Sequence, residues 1–210
     1  YTAYACLLRN LVGSEKGKWK SQKEIMDIMN SIKILNWTDY MRFLILALCT
    51  MQPPLRKSVY HGLKFLTNAN KNNKKDNYLL LQKDLPSYFI INKDKVSKYD
   101  KFKTPESMHI PIENKDLVNM LWNSYKKVKR DYVFCKDDLT PYTMMSFTKN
   151  LLETPFDLNF NILRSSYITE FYNGHQSMKE RDALARKMRH HSNVAYKNYF
   201  KDIKNETKKD

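Results

Sequence analysis

The stretch "NYLLLQKDLPSYFIINK", residues 77–93, departs from the helical spacing of apolar residues on either side of it. It holds two short runs of large aliphatic and aromatic residues, separated by Lys, Asp and Pro. Short apolar runs with such breaks are typical of strands joined by turns. A third run of this kind, "MHIPIE", covers residues 108–113. We therefore expect a small antiparallel β-sheet in this part of the chain.

Two helices are predicted before the sheet. The first, "SQKEIMDIMNSIKIL", begins at Ser21, and the Ser21-x-x-Glu24 spacing is that of a capping box. The second, "WTDYMRFLILALCTM", is more apolar and ends before Pro53 and Pro54, because proline disfavours helical angles in the residue that precedes it. The Lys- and Asn-rich residues 68–77 are expected to form a hairpin turn or a loop.

Helical spacing returns after the sheet. Four helices are predicted, in "KDLVNMLWNSYKKVK", "YTMMSFTKNLLE", "NILRSSYITEFY" and "SMKERDALARKMRH". Gly174 closes the third of them, and Ser177-x-x-Glu180 opens the fourth with a second capping box. A last short helix is expected to begin at Ser192 or Asn193 and to carry Tyr196 and Tyr199. The predicted fold class is therefore α+β, mostly α.

The length of the chain predicts one main domain, since 210 residues with 42% hydrophobic content can bury one sizeable core. Residues 1–18 combine a short amphipathic segment with the beginning of a polar linker. They are predicted to be the remnant or linker of an upstream helical domain. Residues 19–210 are predicted to form the main domain.

The charge balance indicates a polyanionic partner. The chain has 37 Lys and Arg against 22 Asp and Glu, a formal net charge of +15. Basic side chains placed on phosphates release condensed counterions, which favours binding to nucleic acid. The alternative is a solvated, Lys-rich surface left by an AT-rich coding sequence.

Several other classes of site are disfavoured by the sequence. Cys6, Cys49 and Cys135 are too few and too scattered for a disulfide framework, and there is no C-x-x-C pair for zinc. With four glycines, the chain also lacks the glycine loops that bind nucleotides. The longest apolar run, "FLILALC", is far shorter than the roughly 20 residues that span a bilayer. No metal, cofactor or membrane segment is expected.

Four segments carry cations and a late tyrosine in a distinctive order: "PPLR" at 53–56, "YFIINKDKVSKYDK" at 88–101, "NILR" at 161–164 and "KMRHHSNVAYKNY" at 187–199. This order resembles the tyrosine recombinase and integrase family, especially its viral branch. In that family an arginine follows the first long helices, a lysine lies on a β-hairpin, and H-x-x-R lies on a late helix. A His or Trp in a turn comes next, with the nucleophilic tyrosine nine residues beyond it. The resemblance covers roughly residues 20–203 and implies a tyrosine recombinase-like catalytic domain.

The resemblance assigns phosphate binding to two arginines, Arg56 in "PPLR" and Arg164 in "NILR". Two guanidinium groups can hold both non-bridging oxygens of a phosphodiester and stabilise the charge that develops at phosphorus. They take the place of a metal ion. At the position where the family most often has histidine, this chain has Asn161, which keeps a hydrogen-bond donor but cannot exchange a proton.

The predicted hairpin supplies the lysine that, in the family, protonates the leaving 5′ oxygen. Lys95 is our choice for this role, because an ammonium group can be tuned by burial and by nearby arginines. Lys93, Lys98, Lys101 and Lys103 compete for it. Lys93 and Lys98 are otherwise expected to bind DNA.

The last segment aligns with the family's M-G-H-S pattern, which makes His190 the histidine of the turn and Arg189 the replacement for glycine. Tyr199 is nine residues beyond His190 and is therefore the predicted nucleophile; cations near it would favour the phenolate. Tyr196 is interpreted as a core aromatic residue. Arg189 and His191 are expected to contact DNA, although His191 could instead cap the turn.

The implied function is site-specific DNA recombination or integration through a 3′-phosphotyrosyl intermediate, by an enzyme of a virus or mobile element. The implied partners are double-stranded DNA and other copies of the chain, in a tetramer. The implied location is intracellular, at a viral replication site in the host nucleus or cytoplasm, or in the virion. Two alternatives remain open: a type IB topoisomerase, and a non-enzymatic DNA-binding or virion structural protein on the same fold.

Overall fold

The computed structural model describes residues 19–82, 86–92, 107–174, 176–189, 195–196 and 199–200. Within them the fold is α+β and mostly helical, as predicted. The proposed upstream segment, residues 1–18, lies outside the described residues.

The two predicted N-terminal helices are confirmed as α1, Gln22–Ser31, and α2, Trp37–Thr50. The capping box is present at α1: the amide of Glu24 donates to Ser21 Oγ over 3.2 Å, and the Ser21 amide donates to Glu24 Oε2 over 2.7 Å. Every residue of α2 from 44 to 50 is buried, so this helix is the centre of the core. A short helix, α3, Lys57–Tyr60, follows the two prolines.

Four strands form one sheet in the order β1-β2-β3-β4. Their bounds are Lys64–Leu66, Tyr78–Leu80, Tyr88–Ile91 and Met108–Pro111. The last three are the predicted strands, and both of their pairings are antiparallel.

Strand β1 corrects the prediction of a purely antiparallel sheet, because it pairs with β2 in parallel. Its three residues give too short a run to stand out from the helix that precedes them. Parallel pairing also excludes a hairpin for residues 68–77, since parallel neighbours need a crossover connection. That connection contains one turn of 3₁₀-helix, Ala69–Lys71.

The C-terminal half is helical, as predicted, with one interruption. Its helices are α4, Lys115–Lys127; α5, Met144–Thr148; α6, Thr154–Phe156; α7, Phe160–Asn173; and α8, Met178–Lys187. The second half of the predicted helix "YTMMSFTKNLLE" is π-helical rather than α-helical: Lys149–Glu153 follow α5, and α6 comes after the predicted end. Pro155 in α6 has no amide to continue the hydrogen-bond ladder, which accounts for the change of winding. Gly174 caps α7, and the Ser177 capping box opens α8.

Among the described residues, the C-terminal helices pack into two of the apolar clusters. The main core packs α2 against the sheet, α4 and the start of α7. A smaller cluster joins the end of α7 and α8 to the last described residues, through Ile168, Tyr172, Leu184, Ala185, Met188 and Ala195. Ala195 and Tyr196 are helical, whereas Tyr199 lies in a turn rather than on the predicted helix. The predicted start of that helix, Ser192 or Asn193, lies outside the described residues.

Candidate functional site

Arg164 is the largest fully buried side chain among the described residues, and 1% of its surface is exposed. Its guanidinium donates from Nη1 to the Pro54 carbonyl over 2.9 Å and from Nη2 to the Met188 carbonyl over 3.1 Å. Arg164 therefore joins α7 to the segment after α2 and to the residue that follows α8.

The charge of Arg164 is not balanced by a carboxylate within the described part of the chain. None of the ion pairs found there includes it, and its Nε is buried without a hydrogen-bond partner. Burial lowers the pKa of Arg164, and the electrostatic interaction with the Tyr199 side chain opposes that shift. A buried cation held by carbonyl dipoles and an aromatic ring is suited to receive an anion.

Tyr199 lies over this cation. The Arg164 Cζ is 5.0 Å from the centroid of the Tyr199 ring. The backbone of the tyrosine is held at both ends: its amide donates to the Ala195 carbonyl over 3.1 Å, and its carbonyl accepts from Ser165 Oγ over 2.6 Å. The predicted nucleophile and the second predicted arginine are thus in direct contact.

Arg56 lies close to the same cation. It is half-buried at the N-cap of α3, two residues after the carbonyl that Arg164 binds. Its charge adds to the lowering of the Arg164 pKa, which is mainly due to burial. Three of the predicted site residues, Arg56, Arg164 and Tyr199, therefore lie in one region although more than 30 residues separate each from the next.

The segment that carries Arg56 is fixed by Tyr60, which the sequence did not single out. The buried Tyr60 hydroxyl accepts the Leu55 amide over 3.0 Å, and the ring stacks on Phe160 at the start of α7, with centroids 5.5 Å apart. Burial raises the pKa of the neighbouring Cys49 thiol to about 12, which keeps that thiol neutral, and a hydrogen bond with Tyr60 acts in the opposite direction. A buried hydroxyl of this kind gives no signal in an apolar sequence pattern.

Asn161 is exposed in the first turn of α7, one turn before Arg164. Its backbone amide donates to the Asn159 side chain over 2.9 Å as part of the helix cap. This spacing puts residues 161 and 164 on the same side of the helix, as the H-x-x-R pattern requires.

Arg189 occupies the position where the family pattern has glycine, and its backbone has the left-handed conformation that glycine favours, with φ of 61°. The turn is held in place by its contacts: the Arg189 Nη1 lies 3.0 Å from Met108 Sδ on β4, and the Met188 carbonyl binds Arg164. The two histidines that follow, His190 and His191, lie outside the described residues.

The candidate lysines lie on the chain between β3 and β4. Those strands pair antiparallel, with Ile91 opposite Met108, and the Ser107 hydroxyl donates to the Asn92 side chain at the end of the pair. Lys93, Lys95, Lys98, Lys101 and Lys103 all fall in residues 93–106, outside the described residues. Because Met108 contacts Arg189, the end of the β3–β4 pair at Ile91 and Met108 lies next to the turn that follows α8.

Tyr196 differs from the expected core aromatic residue. It is 56% exposed, although its ring stacks on Phe200 at 5.4 Å and on Tyr172 at 6.5 Å. The ring therefore covers the small apolar cluster from outside. Its exposure makes Tyr196 a second accessible phenol near the site.

Within the described part of the chain, no group of three or more His, Cys, Asp or Glu residues could hold a metal ion. The described helices include none with the length and apolarity to cross a membrane. Comparisons with protein-family models, curated proteins and solved structures found no match.

Proposed function

We propose that this chain is the catalytic domain of a tyrosine recombinase or integrase of a virus or mobile element, with a recombinase-like fold. The observation that carries the proposal is the contact between Arg164 and Tyr199, with Arg56 close by. These residues come from three distant segments that stand in the order of the family's motifs. A buried cation without a described carboxylate partner, covered by a tyrosine, is suited to phosphoryl transfer.

The proposed reaction begins with a DNA phosphodiester held by Arg56 and Arg164. The phenolic oxygen of Tyr199 attacks phosphorus and loses its proton to a base, while the bond from phosphorus to the 5′ oxygen breaks and that oxygen gains a proton. One phosphodiester is exchanged for another, so the bond energy is kept. A 5′-hydroxyl from a partner strand then reverses the step and rejoins the DNA.

The remaining roles follow the family resemblance. Lys95 donates the proton to the leaving oxygen, His190 contacts the phosphate, and Asn161 contributes a hydrogen bond rather than acid or base chemistry. In the resting conformation the Tyr199 ring covers Arg164, so the phosphate must displace it to reach the guanidinium. Rotation of the Tyr199 side chain, with its backbone kept on Ser165, would allow this.

The proposed partners are double-stranded DNA and further copies of the chain in a tetramer. The formal net charge of +15 supports a DNA partner. Lys93, Lys98, Arg189 and His191 are the proposed backbone contacts. The proposed location is a viral replication site in the host nucleus or cytoplasm, or the virion.

Covalent trapping on nicked DNA tests the proposal. Duplexes with a nick just 3′ of the cleaved bond, and random sequence around it, lose the short 5′-hydroxyl fragment after attack and leave the protein on the 3′ phosphate. We expect Tyr199→Phe to abolish the adduct and to bind DNA normally, because only the nucleophilic oxygen is lost.

Tyr196→Phe is the matched control, since this exposed ring lies three residues away and keeps its stacking as phenylalanine. It should react like the wild type. DNA binding without any adduct would contradict the enzymatic proposal and favour a non-enzymatic DNA-binding or virion protein. Relaxation of supercoiled DNA without exchange between duplexes would favour the type IB topoisomerase.

A further inference from the structure

Ser165 follows Arg164 directly on α7 and contacts the same tyrosine. Its Oγ donates to the Tyr199 carbonyl over 2.6 Å, across 34 positions of the chain. The side chain of Tyr199 therefore lies on Arg164, and its main chain is bound by the next residue of the same helix.

The neighbouring serine makes different contacts. Ser166 donates to the Ile162 carbonyl over 2.9 Å, which is the usual contact of a serine inside a helix, and to the Lys20 carbonyl. Ser165, 5% exposed, bonds to the turn that carries Tyr199, whereas the contact of Ser166 outside its helix is with Lys20, before α1. Ser166 is thus a natural comparison for Ser165, on the same helix and equally buried from solvent.

We propose that Ser165 is a positioning residue for Tyr199, an inference that rests on the proposed function. Helix α7 then holds both the phosphate-binding Arg164 and the backbone of Tyr199. The distance between them is fixed because two consecutive residues of this helix make the contacts. The Tyr199 amide donates to the Ala195 carbonyl, which lies on the same C-terminal segment and cannot fix the tyrosine relative to α7.

Loss of the Ser165 hydroxyl would leave the Tyr199 carbonyl without this donor and let the turn drift from α7. Small misplacements of a reacting group slow a reaction more than they weaken binding, because the near-attack geometry is lost. The net value of one hydrogen bond predicts a rate of adduct formation that is roughly three- to tenfold lower. DNA affinity should stay unchanged, since Ser165 contacts the protein backbone and not the phosphate.

The test measures single-turnover formation of the adduct on nicked DNA at saturating protein, together with DNA affinity and the thermal midpoint. We expect Ser165→Ala to react more slowly at unchanged affinity, Ser165→Thr to restore the rate because it keeps the hydroxyl, and Ser166→Ala to react like the wild type. Should Ser165→Ala not fold, Ser165→Cys replaces it, as a thiol of similar size is a weaker donor.

The inference is overturned if Ser165→Ala reacts at the wild-type rate or faster, or if Ser166→Ala slows the reaction equally. A faster reaction would mean that the hydroxyl holds Tyr199 in a resting position instead. Failure of the proposed function is distinct from these results, because the wild-type protein would then form no adduct.

Discussion

At the residue scale, Arg164 joins three segments that are distant in sequence. It binds the carbonyls of Pro54 and Met188 and lies under the Tyr199 ring, while 1% of its surface is exposed. The resemblance to the recombinase family predicted its proximity to Arg56 and Tyr199. Its burial, and the hydroxyl groups of Tyr60 and Ser165 that fix its neighbours, depend on tertiary packing and could not be predicted from spacing.

Arg164→Lys tests the arginine without removing the charge. Lysine cannot reproduce the two-pronged contact with both carbonyls and a phosphate, so we expect the rate of adduct formation to fall about 100-fold or more, with DNA still bound. Single-turnover trapping and a salt-matched binding assay measure the two quantities.

Arg130→Lys is the matched control. Arg130 is also buried, donates to the Ser124 and Val133 carbonyls and packs over the Trp37 ring, but lies outside the candidate site. The Arg130→Lys variant should be less stable than the wild type and should form the adduct at the wild-type rate. Equal losses of rate in both variants would mean that Arg164 has a structural role only.

Tyr60→Phe tests the segment that carries Arg56. The substitution leaves the buried Leu55 amide without its acceptor, which should lower the free energy of unfolding by about 1–3 kcal/mol. Urea denaturation measures this loss. An unchanged free energy of unfolding would show that the hydroxyl does not hold the segment.

At the element scale, the local signals in the sequence were reliable. The capping boxes at Ser21 and Ser177 and the stop at Gly174 all lie where predicted, because a cap depends on residues within one turn. Strand β1 was missed because its pairing with β2 is formed across residues 67–77. The π-helical residues 149–153 were missed because the spacing of apolar residues does not separate π- from α-helical winding over so short a stretch.

Ser177→Ala should lower the unfolding midpoint by about 2–4 °C, since it removes the N-cap of α8. The same contact lowers the pKa of Glu180 below its ordinary value of 4.5, mainly through the Ser177 hydroxyl. A lowered carboxyl pKa stabilises the fold above the ordinary value, and this contribution is lost as the pH falls through the folded-state value. The difference between Ser177→Ala and the wild type should therefore shrink below pH 4.5 in thermal scans; a constant difference would contradict the capping contact.

At the scale of the whole molecule, charge and fold class could be predicted from composition and periodicity. The mostly helical α+β class is confirmed, whereas the recombinase-like fold remains a proposal. Lys95 and His190 lie outside the described residues, and their roles are proposed from the family resemblance.

Duplex DNA binding should be tolerant of sequence and steeply dependent on salt, because the proposed contacts place several of the 37 basic residues on backbone phosphates. If six or more phosphates are contacted, affinity should fall on the order of a thousandfold between about 50 and 200 mM salt. Fluorescence anisotropy with random duplexes measures the slope. A DNA affinity that does not change with salt concentration would remove charge as an argument for a DNA partner.

The most direct test of the central claim is peptide mapping of the protein trapped on nicked DNA. After digestion of the DNA and the protein, mass spectrometry should find the residual nucleotide on the peptide that contains Tyr199, attached through its phenolic oxygen. A nucleotide on Tyr196 would contradict the assignment of the nucleophile. The absence of any adduct at all salt and divalent-ion concentrations, with DNA bound, would contradict phosphotyrosyl chemistry altogether.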